Sequence, residues 1–216
     1  MTIHAPIPDY DTARRTMVES QLRPQGVTDP GVLEAMGSVP SEKFVPEAVR
    51  PIAYADRAVM LGHGRALSPC PLLGQLLTQM APSAGERALV VGAGTGYSAA
   101  ILQRIGLDVT ALESCEELGA AGRDLGLKII LGDLEEGHSA GAPYDLILID
   151  GAVEYIPQPI IDQLAPGGRL GAALVEQGVT RLVVGRKSGS AFGYIAVNDS
   201  SAPALPGFKR HRTFTF

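Results

Sequence analysis

The sequence predicts an α/β protein whose mostly parallel sheet is covered by helices on both faces. From Arg87 onward, segments with the character of strands and of helices alternate along the chain. The strand segments are almost continuously apolar, which is typical of strands that are buried on both faces. A turn with three glycines at alternate positions separates the first of these strands from a helix, where open α/β sheets bind ligands.

The composition indicates a single folded domain and argues against one class of protein. The chain has 216 residues, of which 45% are hydrophobic, and this is enough for one domain with a full core. We expect one domain over residues 1–216, with helices and a loop in residues 1–80 and the α/β core and C-terminal strands in residues 81–216. The net charge of −5 argues against a nucleic-acid-binding protein.

The location of the protein is also constrained. No apolar run approaches the roughly 20 residues of a membrane-spanning helix, and the N-terminus lacks the apolar core of a signal peptide. The two cysteines have no metal-type spacing. The expectation is therefore a reduced, cytoplasmic protein with no bound metal and no membrane contact.

The N-terminal part predicts two helices and an irregular region. Residues 10–22 form the first helix, which Asp11 or Thr12 could cap, and residues 28–39 form the second, with Thr28 as its cap. The following segment, residues 40–71, is rich in proline, glycine and isolated apolar residues. It predicts an ordered loop region, and such long irregular segments are usually functional.

The rest of the chain supplies the elements of the sheet. Helices are predicted over residues 72–80, 97–106, 115–126 and 156–168, and strands over residues 87–94, 108–114, 128–133, 144–152 and 169–175. Residues 180–199 and 209–216 read as further strands joined by polar turns. We expect them to form an antiparallel edge of the sheet.

The glycine turn, Gly92, Gly94 and Gly96, follows a buried strand and opens a helix. Glycines permit a sharp turn and a close approach of a ligand to the backbone. This pattern fits NAD-binding folds and other nucleotide-binding folds. The third glycine comes one residue too early for the dinucleotide motif, which disfavours NAD.

Two acidic residues at the next strand ends extend the candidate site. Glu113 is placed to accept hydrogen bonds from a ribose diol, and Asp133 is placed to reach an adenine edge. Each could instead be a solvated acid at the end of a strand. Together with the glycine turn, they favour an adenosine-binding crevice.

Four segments of the sequence resemble the protein-L-isoaspartate O-methyltransferase family, whose members use S-adenosylmethionine (AdoMet). Residues 17–46 resemble its N-terminal signature, and the sequence GHGRALSP at residues 62–69 stands where the family has a glycine-bracketed Thr-Ile-Ser loop. Residues 91–102 are similar to its AdoMet glycine loop, and residues 144–170 to a later strand–helix–strand unit. The resemblance implies a Rossmann-like AdoMet-dependent methyltransferase fold with a mostly parallel seven-stranded sheet.

The resemblance also implies an activity, which is transfer of the AdoMet methyl group to the α-carboxylate of L-isoaspartyl residues in damaged proteins or peptides, as a step of protein repair. Ser68 matches the family's active-site serine, and Arg65 and Leu67 would contact the substrate. The cofactor would be bound by Gly92, Gly94, Gly96, Glu113, Asp133 and Leu134. The acceptor carboxylate is ionised at neutral pH, so no general base is required.

Several positions depart from the family pattern. Val90 replaces an acid in the strand before the glycines, and Arg65 and Ala66 replace the glutamine and threonine of the serine loop. Leu134 stands where the family often has glycine, and Asp150 where it usually has threonine or a small residue. Arg65 could pair with a substrate carboxylate, or with Asp150 and so fill the site. A member that methylates another carboxylate, or a catalytically degenerate AdoMet-binding homologue, is the alternative hypothesis.

Overall fold

A computed structural model describes residues 9–210 of the chain. Its α-helices are α1 (Tyr10–Met17), α2 (Pro30–Ser38), α3 (Cys70–Met80), α4 (Tyr97–Ile105), α5 (Glu116–Asp124) and α6 (Gln158–Asp162). Its strands are β1 (Val59–Gly62), β2 (Arg65–Leu67), β3 (Arg87–Val91), β4 (Asp108–Glu113), β5 (Ile129–Leu131), β6 (Tyr144–Val153), β7 (Leu164–Glu176), β8 (Val179–Ser188) and β9 (Ala191–Asp199).

Seven of the strands form one sheet in the order β5-β4-β3-β6-β7-β8-β9. The first five are parallel to one another, and β8 and β9 continue the sheet in antiparallel pairing. The predicted mostly parallel sheet with an antiparallel edge is therefore confirmed. The order reverses direction at β3, whose neighbours are β4 and β6, and this is the place where open α/β sheets bind ligands.

The central strand β3 shows how the apolar sequence builds both faces of the sheet. Ala88 and Val90 belong to one buried apolar cluster, while Leu89 and Val91 belong to the other. All four are completely buried. Because alternate side chains of a strand point to opposite faces, only a continuous apolar run satisfies a strand that is covered on both sides.

The predicted caps of the first two helices are wrong by a residue or more. Asp9 caps α1 by accepting from the backbone N–H of Thr12 at 3.1 Å, and Asp29 caps α2 by accepting from Val32 at 2.9 Å. A capping side chain bonds the amide of the third helical residue, and in each case the aspartate has this spacing. The first helix continues beyond Met17 with a π-helical turn over Val18–Leu22.

The irregular region of residues 40–71 contains a β-hairpin that the sequence did not predict. Strands β1 and β2 pair antiparallel, with Val59 opposite Leu67, and form a sheet of their own. They have only four and three residues, too few for alternation to be recognised. The turn Gly62–His63–Gly64 has positive φ at all three residues. This hairpin positions Arg65 and, just beyond β2, Ser68.

The helix predicted over residues 156–168 is shorter than expected. α6 ends at Asp162, and residues 164–168 belong to β7, where Leu164 pairs with Tyr144. A Cβ atom on Gly168 would lie 3.0 Å from the Tyr144 carbonyl oxygen. This glycine permits close approach of two strands instead of ending a helix.

The predicted C-terminal strand is only partly described. Residues 209–210 are irregular, which corrects the prediction there, and residues 211–216 lie outside the described part of the chain. Within residues 9–210, no helix has the length and apolar character needed to cross a membrane.

Candidate cofactor and acceptor site

The sequence-predicted site residues meet at the carboxyl edge of the parallel strands. Val91, the last residue of β3, is paired with Leu112 on one side and Ile149 on the other. Gly92, Glu113 and Asp150 are the next residues on these three adjacent segments, so they lie at equivalent positions; Glu113 ends β4 and Asp150 lies within β6. This brings residues that are far apart in the sequence to a single crevice.

The glycine turn has the left-handed backbone that its sequence requires. Gly92, Gly94 and Gly96 have φ angles of 75°, 57° and 93°, and α4 begins immediately after Gly96. The turn is also closely approached by two side chains of this chain. A Cβ on Gly92 would lie 2.7 Å from Cδ1 of Leu205, and one on Gly94 would lie 2.9 Å from Cδ1 of Leu61.

Glu113 is completely buried at the end of β4. Its carboxylate accepts hydrogen bonds from the backbone N–H groups of Gly94 at 2.6 Å, Ser114 at 2.8 Å and Cys115 at 3.1 Å. These three amide donors fix the position of the carboxylate. A buried carboxylate fixed in this way can accept hydrogen bonds from a ligand.

In the structure, the side-chain partner of Glu113 is Arg65. The Arg65 side chain is 6% exposed, and its Nη1 lies 2.8 Å and 2.9 Å from the two Glu113 carboxylate oxygens. Its Nη2 donates to the carbonyl oxygen of Gly92. Asp150, the partner in this chain that was considered from the sequence, is not the carboxylate that Arg65 contacts; Arg65 pairs with Glu113, the acid expected to bind the ribose.

Asp150 has a different partner. Its Oδ2 accepts a hydrogen bond from the Ser98 hydroxyl at 2.6 Å. Burial raises the pKa of the Asp150 carboxyl above its ordinary value, although the Ser98 hydrogen bond and the Arg65 charge act in the opposite direction and Glu113 adds to the rise. The Asp150 carboxyl is therefore costly to ionise, and it lies near the Arg65–Glu113 ion pair.

Ser68 lies on the same edge, half-buried after β2. It lines a narrow cavity of about 20 Å³ together with Asp150 and Gly151, which has room for a water molecule and not for a peptide. Leu67 is 8% exposed and belongs to the apolar core beneath the hairpin. In this conformation, the acceptor side of the site is therefore narrow.

The region expected to hold the adenine is open by contrast. Asp133 is exposed, and Leu134 is buried. Both line an open groove of about 460 Å³, whose other lining residues are Ser114, Glu135, Pro206 and Gly207. The groove provides apolar surface and an exposed carboxylate beside the end of β4.

Leu205 is a residue of the site that could not be predicted from the sequence. The segment around it lies across the end of β6, where Leu205 N–H donates to the Ala152 carbonyl and Ala152 N–H donates to the Pro203 carbonyl, both at 2.8 Å. Leu205 itself is 4% exposed. A single leucine in a polar, proline-containing segment carries no pattern that would identify this contact.

Sequence reasoning also missed a cluster of three potential metal ligands. Potential metal-ligand atoms of His63, Cys115 and Glu117 all lie within 4.8 Å of one another, and the Cys115 thiol is 3.1 Å from a Glu117 carboxylate oxygen. His63 is some 50 residues away in sequence from the other two, so no spacing motif could have shown it.

Chemically, these residues fit an adenosine cofactor. The structure supplies a glycine turn, a buried carboxylate with amide donors and an adjoining open groove, all at one sheet edge. The fit is incomplete in one respect, because Arg65 holds the carboxylate that the ribose hydroxyls would need.

Comparison with known proteins identifies the family. The model of the family described as protein-L-isoaspartate(D-aspartate) O-methyltransferase matches residues 13–199. The chain belongs to this family. A protein-L-isoaspartate O-methyltransferase of Methylorubrum extorquens is 42% identical over 171 residues, which cover 76% of this chain and 75% of that protein. One from Rhodopseudomonas palustris is 38% identical over 192 residues, covering 83% and 78%.

Solved structures of the protein-L-isoaspartate O-methyltransferase family have the same fold. One aligns with a TM-score of 0.77 at 22% identity, covering 90% of this chain and 66% of its own. A second, a putative family member from Plasmodium falciparum in complex with S-adenosyl-L-homocysteine (AdoHcy), also has a TM-score of 0.77, at 20% identity, covering 92% and 99%. The segment containing Leu205 lies beyond the residues that the family model matches.

Proposed function

We propose that this protein is an AdoMet-dependent carboxyl O-methyltransferase that acts on L-isoaspartyl residues of damaged proteins or peptides. The observation that carries the proposal is the position of Glu113, which is buried, held by three amide donors and placed beside the glycine turn. Ser68 lies on the same edge of the sheet. The curated relatives named above carry this activity in their names.

On the cofactor side, each residue has a separate task. Glu113 would accept hydrogen bonds from the ribose hydroxyls, and Gly92, Gly94 and Gly96 would let the backbone approach the ligand. Asp133 and Leu134 would contact the adenine in the open groove. When bound, AdoMet supplies a methyl group on a sulfonium leaving group.

On the acceptor side, the chain has to orient a carboxylate and exclude water. The acceptor is already ionised at neutral pH, so positioning is the main contribution that the protein can make. The Ser68 hydroxyl would donate a hydrogen bond to the carboxylate. Leu67 would border the same site, and Arg65 would offer a cation to the substrate once it has left Glu113.

The proposal is tested by transfer of labelled methyl groups from AdoMet to an isoaspartyl peptide, with the normal aspartyl peptide as control. We expect transfer to the isoaspartyl peptide alone. Ser68→Ala should lower kcat/KM by about 10-fold or more, because a hydrogen bond to a charged group is lost. AdoHcy affinity should stay the same, and the exposed Ser139→Ala serves as the matched control. Unchanged methylation by Ser68→Ala would refute its role.

A degenerate family member is the second candidate. The Arg65–Glu113 pair and the contact of Leu205 with Gly92 favour it, because both occupy the site that the cofactor needs. Such a protein would fail to bind AdoHcy even after Arg65 is replaced. A member with another acceptor would bind AdoHcy and leave isoaspartyl peptides unmethylated.

A reducing, cytoplasmic location is part of the proposal. Both cysteines, Cys70 and Cys115, are free. A protein that acts on damaged intracellular proteins would work where thiols stay reduced.

A further inference from the structure

The cofactor and Arg65 compete for one carboxylate. Glu113 already accepts from three backbone amides, and Arg65 Nη1 lies within 2.9 Å of both of its oxygens. A carboxylate offers about four acceptor positions, and the three amides and the guanidinium fill them, so no position is left for a ribose hydroxyl. The Arg65 pair and a Glu113–ribose contact therefore exclude each other.

We propose that the β1–β2 hairpin is a gate on the cofactor site, with Arg65 holding it closed on Glu113 until AdoMet displaces the guanidinium. The inference rests on the proposed function, because it takes AdoMet as the ligand of this edge. It adds that this chain's own arginine sets the cofactor affinity. The family's usual glutamine at this position could not form such an ion pair.

The hairpin carries a second closing contact. Leu61 on β1 lies against Gly94, where a Cβ would be 2.9 Å from its Cδ1. The hairpin thus covers the glycine turn with the Leu61 side chain and pairs with Glu113 through the Arg65 guanidinium. Moving it outward releases both contacts at once, so a single displacement opens the site.

The construction of the hairpin is compatible with that movement. β1 and β2 pair only with each other and share no hydrogen-bonded strand with the main sheet. The turn between them, Gly62–His63–Gly64, is exposed. Removing one partner of a buried ion pair is normally expensive because the other charge is left unpaired. Here Glu113 keeps three amide donors, and ribose hydroxyls replace the arginine.

The gate links the two halves of the site. Arg65 and Ser68 are three residues apart on one segment, so displacement of Arg65 also moves the serine that would orient the acceptor. A closed population lowers the apparent affinity for AdoMet in proportion to the open fraction. Weakening the closing contact should therefore tighten binding without adding any contact to the cofactor.

The test compares AdoHcy binding by calorimetry in the full chain and in Arg65→Gln, which restores the family's usual residue. We expect the variant to bind at least tenfold more tightly. Arg57→Gln removes an exposed positive charge from the same segment and should bind as the wild type does. Equal or weaker binding by Arg65→Gln would overturn the gate.

Hydrogen exchange supplies a readout that does not depend on affinity. In the wild-type protein, amides of residues 59–67 should exchange faster when AdoHcy is bound, because the hairpin has left Glu113. Exchange that stays unchanged or slows would contradict the gate. If Arg65→Gln does not fold, Arg65→Lys removes the second nitrogen, which donates to the Gly92 carbonyl, and retains the charge, and tighter binding is again expected. These binding measurements use no methyl acceptor. The gate can therefore be refuted while isoaspartyl methylation is observed, and it can be supported while isoaspartyl methylation is absent.

An independent observation points to a metal site at the tip of the same hairpin. The geometry points to a zinc-type site formed by His63, Cys115 and Glu117, whose ligand atoms lie within 4.8 Å of one another. Imidazole, thiolate and carboxylate are the ligands that Zn²⁺ uses in proteins, and three of them leave one position for water. His63 comes from the hairpin and the other two from the start of α5.

A metal ion here would fasten the hairpin to the segment that follows Glu113. His63 is two residues from Arg65, and Cys115 is two residues from Glu113. A metal ion that joins them holds the gate closed. Metal binding and AdoHcy binding should therefore weaken each other by the same factor.

Titration of the full chain with Zn²⁺, and with Co²⁺ as a coloured substitute, tests the site. We expect one equivalent to bind, with a thiolate-to-cobalt absorption band that Cys115→Ser abolishes and Cys70→Ala preserves. His63→Ala should lose binding, whereas His138→Ala should not. Binding that survives Cys115→Ser would overturn the site, and AdoHcy affinity unaffected by Zn²⁺ would overturn its action on the gate.

Discussion

Two arginine–glutamate pairs, each with a buried arginine, lie at opposite edges of the parallel strands, and they differ in what else holds each partner. Arg169 on β7 pairs with Glu86, just before β3, through two parallel contacts of 2.8 Å and 2.7 Å. Arg65 pairs with Glu113, at the end of β4, through a single nitrogen. The first pair lies where the parallel strands begin, which is called the amino edge here, and the second lies where they end, the carboxyl edge.

The surroundings of the two arginines explain the difference. Arg169 also donates to the carbonyl oxygens of Met80, Ala81 and Asp145, so it joins the end of α3 to two strands. Arg65 has a single further acceptor, the carbonyl of Gly92. At the amino edge the arginine holds the fold together, whereas at the carboxyl edge the glutamate is the fixed partner and the arginine can be exchanged.

The largest effect is expected for stability at the amino edge. Arg169→Ala removes a buried cation that bonds three elements, and breaking such a pair typically costs about 3–5 kcal/mol. Arg65→Gln should cost less than half of that, because Glu113 keeps its amide donors. Urea unfolding of both variants measures the two free energies. Equal costs would remove the distinction between a structural pair and an exchangeable one.

Glu113→Gln should act on binding more than on folding. The single amide oxygen of glutamine has about two acceptor positions, too few for three backbone N–H groups and a ribose hydroxyl, so AdoHcy affinity should fall by about 10- to 100-fold, as expected for a lost hydrogen bond to a charged group. Calorimetry measures the affinity, and Glu86→Gln at the other edge should leave it unchanged. If both variants bind equally well, Glu113 does not contact the ribose.

The pH dependence should have opposite signs at the two edges. Burial raises the pKa of Glu86, but hydrogen bonds from Arg169 and the Ser83 amide outweigh it, so the pKa ends below its ordinary value. Its contribution to stability is present above the unfolded-state pKa and is lost as the pH falls through the folded pKa. Burial leaves the pKa of Asp150 raised, so its contribution is lost as the pH rises from the ordinary aspartate range.

Thermal unfolding between pH 3 and pH 7 checks these signs. Asp150→Asn should raise Tm at pH 7, with a smaller gain at the acid end, because it removes a carboxyl that is costly to ionise. Glu86→Gln should lower Tm at pH 7 and converge on the wild type in acid. A drop in Tm at pH 7 for Asp150→Asn would mean that its hydrogen bond from Ser98 outweighs burial.

The smallest effect is expected for an arginine–glutamate pair on the surface. Arg104 and Glu34 are 3.1 Å apart, with side chains that are 53% and 71% exposed. Exposed pairs contribute about 0–1 kcal/mol, so Arg104→Gln should change the unfolding free energy by about 0.5 kcal/mol or less. Denaturant midpoints measure it. A loss comparable to that of Arg169→Ala would show that burial is not what separates the pairs.

The sheet could be predicted because its signals are local. Continuous apolar runs such as residues 88–91 and 146–149, each bounded by polar or glycine residues, identify buried parallel strands without knowledge of the partners. The glycine turn and Glu113 could be placed on one edge because parallel strands end together. Their predicted positions agree with the structure, while the predicted roles of the site residues remain proposals.

The closing contacts could not be predicted, because they depend on side chains brought together from distant segments. Arg65 had several possible carboxylate partners, and the choice of Glu113 depends on the path of a hairpin whose strands are too short to recognise. Leu205 reaches Gly92 from a segment without periodicity. The helix expected over residues 156–168 was overextended because its glycines also suit close strand approach.

A crystal structure of the full chain with AdoHcy would test the central claim most directly, namely that Arg65 and the cofactor exclude each other on Glu113. The account predicts that Arg65 has left the carboxylate, that a ribose hydroxyl donates to Glu113 in its place, and that Leu61 has moved away from Gly94. AdoHcy bound at this edge with the Arg65–Glu113 pair intact would contradict it.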